Sequence, residues 1–589
     1  MTNLELSWAL AEMGDLLELK GEEAFKVRAY HRAARALEHL EEEAAGLHVR
    51  GELERIPGVG KNLAKKIAEL LETGRSTFLE QLRQEVPPGL RDMLAVPGLG
   101  AKSVRLIHQH LGITTLEELE RAARERKIRR LPGMGSKTEL AILRGLDMLK
   151  EHRDRVPLGI ARPLGRLFCR QIAALPGVTR VEVAGSLRRG RPMVGDVDLL
   201  VGVKGPTEVK EVMARHPQVK EVLQEEANRL SLRTWAGVKV EIFLVPDDKF
   251  APAWMYLTGS RAHLEELKRF TAGGRLSPES LGLPSNLEEV AASFSSEEEL
   301  YSRLGLPYII PEWREGRGEV LAAREGRLPA PLSPEDIKGD LHVHTCYSDG
   351  LHTIREMVEA ARARGYRYLA ITEHSRSLVV ARGLNVEQLL AQREEIARIN
   401  RELEDFVVLS GIEVDILPDG CLDLEDDILA SLDIVIASIH SGFNQTEEQI
   451  MARLEAAMRH PWVDIIGHPT GRMLGRRPPY AVNLERLLEL AAETGTILEI
   501  NASPDRLDLD EDAARRAKEH GVILAVNTDA HDTARLDDMG YGITVARRGW
   551  LGAQDILNTR ELDGVLKALK RNKRKWGQGS PPREERPRP

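Results

Sequence analysis

Apolar positions repeat at helical spacing through the first 150 residues, punctuated by three similar strings. These are IPGVGKNLAKKI (56–67), VPGLGAKSVRLI (96–107) and LPGMGSKTELAI (131–142), each Pro-Gly-x-Gly followed by an amphipathic stretch. With flanks rich in Leu, Ala, Glu, Arg and Lys, this segment reads as all-helical. Between about 178 and 245 the period shortens to two in VTRVEVAG, DVDLLVGV, SLRTW and VKVEIFLV, with one helix near 207–215. Helical and irregular text returns over 250–310, and 311–335 has the Pro, Gly and charge content of a linker. From Gly339 onward GDLHVH, YRYLAIT, FVVLSGIEV, IVIASIH, VDIIGHP, TILEI and VILAVNT alternate with helical segments, which predicts a parallel α/β barrel. The end, WGQGSPPREERPRP, has no apolar period and reads as a disordered tail.

Length and composition refine this outline. The 589 residues allow three to five domains. No apolar run reaches the ~20 residues of a membrane span, and MTNLELSWALAEMGD lacks a signal-peptide pattern. Three distant cysteines (Cys169, Cys346 and Cys421) give no disulfide framework, so a cytoplasmic protein is expected. The net charge of −9 is not shared evenly: 1–150 carries +1, 151–335 none, and 336–589 −10. Acidity therefore belongs to the last segment, whose surface should repel a polyanion except at a cation-filled mouth, so nucleic-acid binding is expected within 1–318.

A Gly-x-Gly turn ahead of a helix exposes backbone N–H groups where the helix dipole favours an anion. Three copies with Lys61, Lys102 and Lys137 beside Gly58, Gly60, Gly98, Gly100, Gly133 and Gly135 form candidate phosphate nests, and their resemblance to helix-hairpin-helix motifs implies a grip on the DNA backbone. In VAGSLRRGRPMVGDVDLLVGV (183–203), Asp196 and Asp198 share one strand face, and Glu241 sits centrally in another strand. Three converging carboxylates call for divalent cations, Mg²⁺ or Mn²⁺. Upstream, Gly185 and Ser186 open a turn bearing Arg188 and Arg189, suited to a triphosphate.

On these motifs residues 1–318 resemble the family X DNA polymerases, the DNA polymerase beta group. The resemblance implies that Gly185, Ser186 and Arg189 bind the incoming nucleotide and that Asp196 and Asp198 hold its metals. Arg155 in DRVP would meet the triphosphate tail, and Tyr256 and Gly259 in YLTGSRAH would lie beside the sugar. Lys66 falls where that family's lyase lysine stands, a DNA-contacting or solvated lysine being the other reading. Glu241 replaces the usual Asp, and its extra methylene predicts a slowed polymerase.

The carboxy-terminal strands end in ligand-type residues: His342, His344, Asp349, His374, Glu413, His440, His468, Asp529 and His531. Strand ends converge at one mouth of an α/β barrel, and imidazole with carboxylate suits Zn²⁺, Mn²⁺ or Fe²⁺. The set resembles the PHP (polymerase and histidinol phosphatase) domain. That family's arrangement implies up to three ions: one on His342, His344, Glu413 and Asp529, a second on Glu413, His440 and His468, a third on Asp349, His374 and His531. Arg472 and Arg476 are phosphate-clamp candidates, a solvated basic loop being as good a reading.

The halves together resemble the bacterial family X arrangement (PolX). This implies a DNA repair polymerase, monomeric and without membrane contact, taking gapped or primer-template DNA and dNTPs, with a metal-dependent 3′–5′ exonuclease that could also act at abasic or blocked 3′ ends. The alternatives are a DNA-end-binding scaffold with a structural PHP domain and a small-molecule phosphatase. The expected fold class is multidomain: helical 1–84 and 85–150, an α+β nucleotidyltransferase palm at 151–247, a thumb at 248–318, a linker at 319–336, the PHP barrel at 337–575 and a tail at 576–589.

Overall fold

The computed structural model describes residues 3–38, 40, 43–94, 96, 99–151, 155–272 and 294–570. Gly98 and the tail fall outside the described residues, as does the side chain of Lys137. No helix among the described residues is long and apolar enough to cross a membrane.

Residues 3–151 are helical around one core of leucines, isoleucines and alanines. Helix Lys61–Thr73 shows the cause: Leu63, Ala64, Ile67 and Leu70 lie on one buried face, Gly60 opens the helix and left-handed Gly74 closes it. Gly100 and Gly112 do the same for Ala101–Leu111.

After the short pair β1 (Val156–Pro157) and β3 (Met193–Val194), a five-stranded sheet forms from β2 (Val178–Val183), β4 (Asp196–Val203), β5 (Val219–Glu225), β6 (Arg229–Thr234) and β7 (Lys239–Pro246), ordered β2-β4-β7-β6-β5. Strand β5, unforeseen in the sequence, is an edge strand whose charged residues point to water, so it lacks an alternating apolar signal. Helices Phe250–Thr258, Arg261–Ala272 and Glu297–Arg303 follow.

The Glu297 carboxylate is buried between two arginines, accepting from Arg314 at 2.6 and 3.1 Å and from Arg188 at 2.9 and 2.6 Å. Burial alone would raise its pKa, but the guanidinium groups of Arg314 and Arg188 bring it from 4.5 to about 2. A depressed carboxylate stabilises the fold fully above its unfolded pKa and loses that contribution as pH falls toward the folded value. The shift corresponds to about 3 kcal/mol, lost between pH 4.5 and about 2. Glu297→Gln should lower the thermal midpoint at pH 7 and flatten its decline across that window, measured by circular dichroism melts.

Residues 319–336 are not a loose linker. They form helix Glu319–Arg324 and a 3-10 turn at Pro334–Asp336. Val320 and Ala323 pack into the core that holds Trp313, while Glu319 is fully buried against His263, 2.7 Å away. The charge and Pro content that suggested a linker serves buried ion pairs and a capped turn instead.

The last unit holds β8 (Gly339–Val343), β9 (Tyr368–Ile371), β10 (Val407–Asp415), β11 (Ile434–Ser438), β12 (Ile465–Ile466), β13 (Ile497–Asn501) and β14 (Leu524–Asn527), all parallel and adjacent in chain order. A parallel bridge between Val343 and Ala530 closes the barrel. Asn558 stitches the seam below, donating to Gly339 O and accepting from Val526 N. Leu341, Tyr368, Leu409, Ile434, Ile465 and Ile497 fill the floor over helix Leu562–Ala568. The candidate ligand side chains gather at the opposite mouth.

Candidate active sites

In the palm, β4 and β7 run parallel, with Asp198 beside Glu241 and Asp196 beside Lys239. Asp196 and Asp198 share a face by strand alternation. Gly185, at φ +59°, follows Ala184, whose N–H donates to Asp198 O at 2.8 Å. A Cβ at Gly185 would lie 1.8 Å from Asp198 Oδ2, so only glycine lets this turn approach the carboxylate. The Ser186 hydroxyl is buried without a hydrogen-bond partner. Exposed Arg155 immediately precedes β1, which pairs with β3 two residues before Asp196. Tyr256 and Gly259 lie at the end of helix Phe250–Thr258, Gly259 as its cap.

Burial, with Asp196 and then Glu241 nearby, pushes Asp198 up to about 8; burial raises Asp196 too. Such a carboxylate pair is suited to a divalent cation, which supplies the missing positive charge. Glu241 stands beside Asp198 as the trio requires, and it also has cationic partners of its own. It accepts from Arg229 at 2.8 Å and Ser231 at 3.0 Å, and meets Lys239 Nζ at 2.5 Å. These cations hold it below the ordinary carboxylate range although burial acts the other way. The longer side chain is thus drawn toward Arg229 and Lys239.

Arg188 and Arg189 also depart from the expectation of an open triphosphate clamp. Arg188 belongs to the Glu297 cluster, and Arg189 Nε donates to Glu315 at 3.0 Å while Nη1 donates to Thr258 O at 2.8 Å. A nearly buried guanidinium requires a carboxylate partner, and Glu315 supplies it.

Among the helical turns, a Cβ at Gly60, Gly100, Gly133 or Gly135 would meet nothing within 4 Å, so these turns are open; Gly58 packs on Arg32. Lys61 and Lys102 are exposed. Lys66 lies 3.4 Å over the Phe78 ring, and burial lowers its pKa.

At the barrel mouth the nine predicted residues come together. Glu413 is the hub: Oε1 lies 2.9 Å from His468 and 3.3 Å from His440, and Oε2 lies 2.7 Å from His374, 3.5 Å from His342 and 3.7 Å from His344. Asp529 Oδ1 is 3.2 Å from His344, and Asp349 is 3.3 Å from His531 and 3.7 Å from His374. Three groups have ligand geometry: His342, His344 and Asp529; His374, Glu413 and His440; and His344, Asp349, His374 and His531. His344 and His374 each belong to two groups, a sharing that the family arrangement did not include. Buried atoms without hydrogen bonds converge here, among them His342 Nε2, His344 Nδ1 and Nε2, Glu413 Oε2 and Asp529 Oδ1. Such orphaned atoms fit metal ligation. His468 and Asp529 also hold positive φ (+27° and +55°), strained for non-glycine residues.

Against burial, neighbouring imidazoles hold Glu413 and Asp529 well below the usual carboxylate range. Burial, with His531 and His374, takes His344 down to about 3; burial and Arg506 take His468 to about 4. Although burial acts the other way, neighbouring carboxylates push His342 upward and take His440 and His531 up to about 9, so a bound cation would take the place of their protons.

Sequence reasoning missed the supports. Glu499 accepts from His342 Nδ1 at 2.7 Å, His468 N at 2.7 Å and Asn527 Nδ2 at 2.9 Å. Asp415 sits 2.5 Å from His440 Nδ1. Glu373, pushed upward by burial, receives Thr345 and Ser348, shaping the turn to Asp349. The period-two pairs Glu413-x-Asp415 and Glu499-x-Asn501 were the available signal. Arg472 is no open clamp: it donates to the carbonyls of Arg506 and Leu507, while Arg476 is exposed. Glu499→Gln should weaken metal binding about 10–100-fold, read by Mn²⁺ or Zn²⁺ titration of the full chain.

Comparison with known proteins agrees with this layout. Residues 1–76 match a helix-hairpin-helix domain, 90–147 a SAM-like helix-hairpin-helix tandem, 253–315 the DNA polymerase beta thumb and 340–503 the PHP domain. Over 560 residues the chain is 41% identical to the DNA polymerase/3′-5′ exonuclease PolX of Bacillus subtilis (strain 168), covering 94% of this chain and 97% of that one. The chain belongs to the PolX family. Parts of this PolX chain have relatives of their own. A probable phosphatase of Thermoanaerobacter sp. (strain X514) is 32% identical over 249 residues, 40% of this chain and 96% of the phosphatase. DNA polymerase lambda of Rattus norvegicus is 25% identical over 345 residues, 53% of this chain and 56% of its own.

Proposed function

We propose that this PolX chain fills short DNA gaps from dNTPs and digests DNA 3′ ends at its PHP centre. The observation that carries the reading is one chain holding both a palm carboxylate pair and a barrel-mouth cluster in which eight predicted residues form ligand groups and His468 joins through Glu413. In the palm, Asp196 and Asp198 would hold divalent ions, Mg²⁺ or Mn²⁺, which would supply charge to offset the triphosphate while the primer 3′-oxygen attacks the α-phosphorus. Gly185 and Ser186 cradle the triphosphate, with Arg155 at its tail; Tyr256 and Gly259 border the sugar. Arg189 joins them only by exchanging Glu315 for phosphate. Glu241, drawn to Arg229 and Lys239, makes a slow polymerase. Lys66, over Phe78, supplies an amine for lyase chemistry, and Gly60, Lys61, Gly100, Lys102, Gly133, Gly135 and Lys137 grip the DNA backbone. The protein acts as a monomer in the cytoplasm.

In the barrel, the nine residues would hold Zn²⁺, Mn²⁺ or Fe²⁺, which would supply activation of water and charge to offset the phosphodiester. His342 and His440 are oriented for this by Glu499 and Asp415. The matched phosphatases favour a second reading, a phosphomonoesterase. Gap filling on a one-nucleotide gap, with digestion of a 5′-labelled primer compared with a phosphomonoester, tests both. Monoester hydrolysis without primer digestion would sink the nuclease assignment.

A further inference from the structure

Loop 502–510, between β13 and helix Glu511–Glu519, contributes no member of the nine-residue cluster yet borders it. Arg506 there has Nε 3.7 Å from Asp529 Oδ2, while its Nη1 is buried and makes no hydrogen bond. Asp529 does not need this arginine as a partner, because Asn501 Nδ2 already donates to the same oxygen at 3.1 Å. Nor is the pair bidentate, the geometry arginine adopts when a carboxylate is its destination. The loop holds the Arg506 backbone in place. Arg506 N donates to Ser503 O at 2.8 Å, Arg472 Nε donates to Arg506 O at 3.0 Å, and Leu507 is held at φ +48°. A fixed cation beside a cluster that collects divalent ions is unfavourable unless an anion joins them. Asp508 and Asp529 already lie near the arginine, and the anion that reaches this site from outside is the substrate phosphate.

We infer that Arg506 is a catalytic residue of the PHP centre, donating N–H groups to a non-bridging oxygen of the scissile phosphodiester. This rests on the nuclease reading. As the water oxygen bonds to phosphorus, the P–O3′ bond breaks, and the water proton passes to the leaving 3′-oxygen. Arg506 offsets the charge on the phosphoryl oxygens meanwhile. The other side of the loop faces the polymerase palm. A Cβ at Gly159 would be 2.7 Å from Pro504 Cβ, and Asp505 O accepts from Leu474 N at 2.7 Å. The phosphate therefore docks on the Arg506 side of the metal cluster, beside Asp529.

The test uses full-length wild type, Arg506→Ala and Arg506→Lys, loaded with Mn²⁺. Digestion of a single-stranded oligonucleotide, hydrolysis of bis(p-nitrophenyl) phosphate and bound metal by plasma emission spectrometry are measured on each. Arg506→Ala should lose about 10²–10³-fold in kcat/KM on both diesters with unchanged metal content. Arg506→Lys should recover only part, and added guanidinium ion should partly rescue the alanine variant. Unchanged turnover, or metal lost in step with activity, would overturn the assignment. If wild type cleaves the small diester but not DNA, the nuclease reading fails, and the small-diester arm still decides the role of Arg506.

Discussion

Asp198→Asn should lower nucleotide incorporation by about 10³-fold or more, while 3′-end digestion by the same preparation stays within about two-fold of wild type. The amide keeps the shape of the carboxylate and preserves its packing under Gly185, so the fold is spared. It removes the charge that a metal requires, at the position where burial and two neighbouring carboxylates concentrate the demand for a cation. Single-nucleotide gap filling and primer digestion, run in parallel, read both outcomes. Undiminished incorporation would show that the palm carboxylates are not the catalytic pair.

Glu413→Gln should produce the converse: primer digestion down by about 10³-fold or more, with gap filling retained. Glu413 touches five of the six ligand imidazoles, so no other residue can replace its charge at the centre of the mouth. Its neutralisation should also reduce bound metal, which separates loss of ligation from loss of DNA binding. His344→Ala should behave likewise, since His344 belongs to two ligand groups. Persistent digestion by either variant would point to a contaminating nuclease or a different active centre.

Both candidate sites were legible because their residues lie at strand ends, where alternation and chain order alone bring side chains together. Asp196 and Asp198 needed only the period of two; the nine barrel residues needed only parallel strands in sequence. What stayed hidden depends on partners distant in sequence. Nothing near Arg189 announces Glu315 126 residues on, and nothing near Glu241 shows that Arg229 will reach it across the sheet. Glu499 looked like an ordinary strand residue until β13 placed it beneath His342. The segment 319–336 misled for a related reason. Its charged residues suggested water, but Glu319 is satisfied by a buried histidine and by the backbone N–H groups of Gly316 and Arg317.

That packed segment bears on how the protein can be taken apart. Arg548, almost wholly buried, donates to Arg189 O, Glu315 and Glu511, while the Trp313 indole donates to Arg547 O and Arg547 Nε to Leu332 O. A gene cut after residue 318 would leave charged and aromatic stumps on both fragments, each missing the groups that satisfied it. The two chemistries occupy separate mouths, yet the scaffold behind them is shared masonry. Point substitutions at either mouth, rather than truncation, are the way to silence one activity and keep the other.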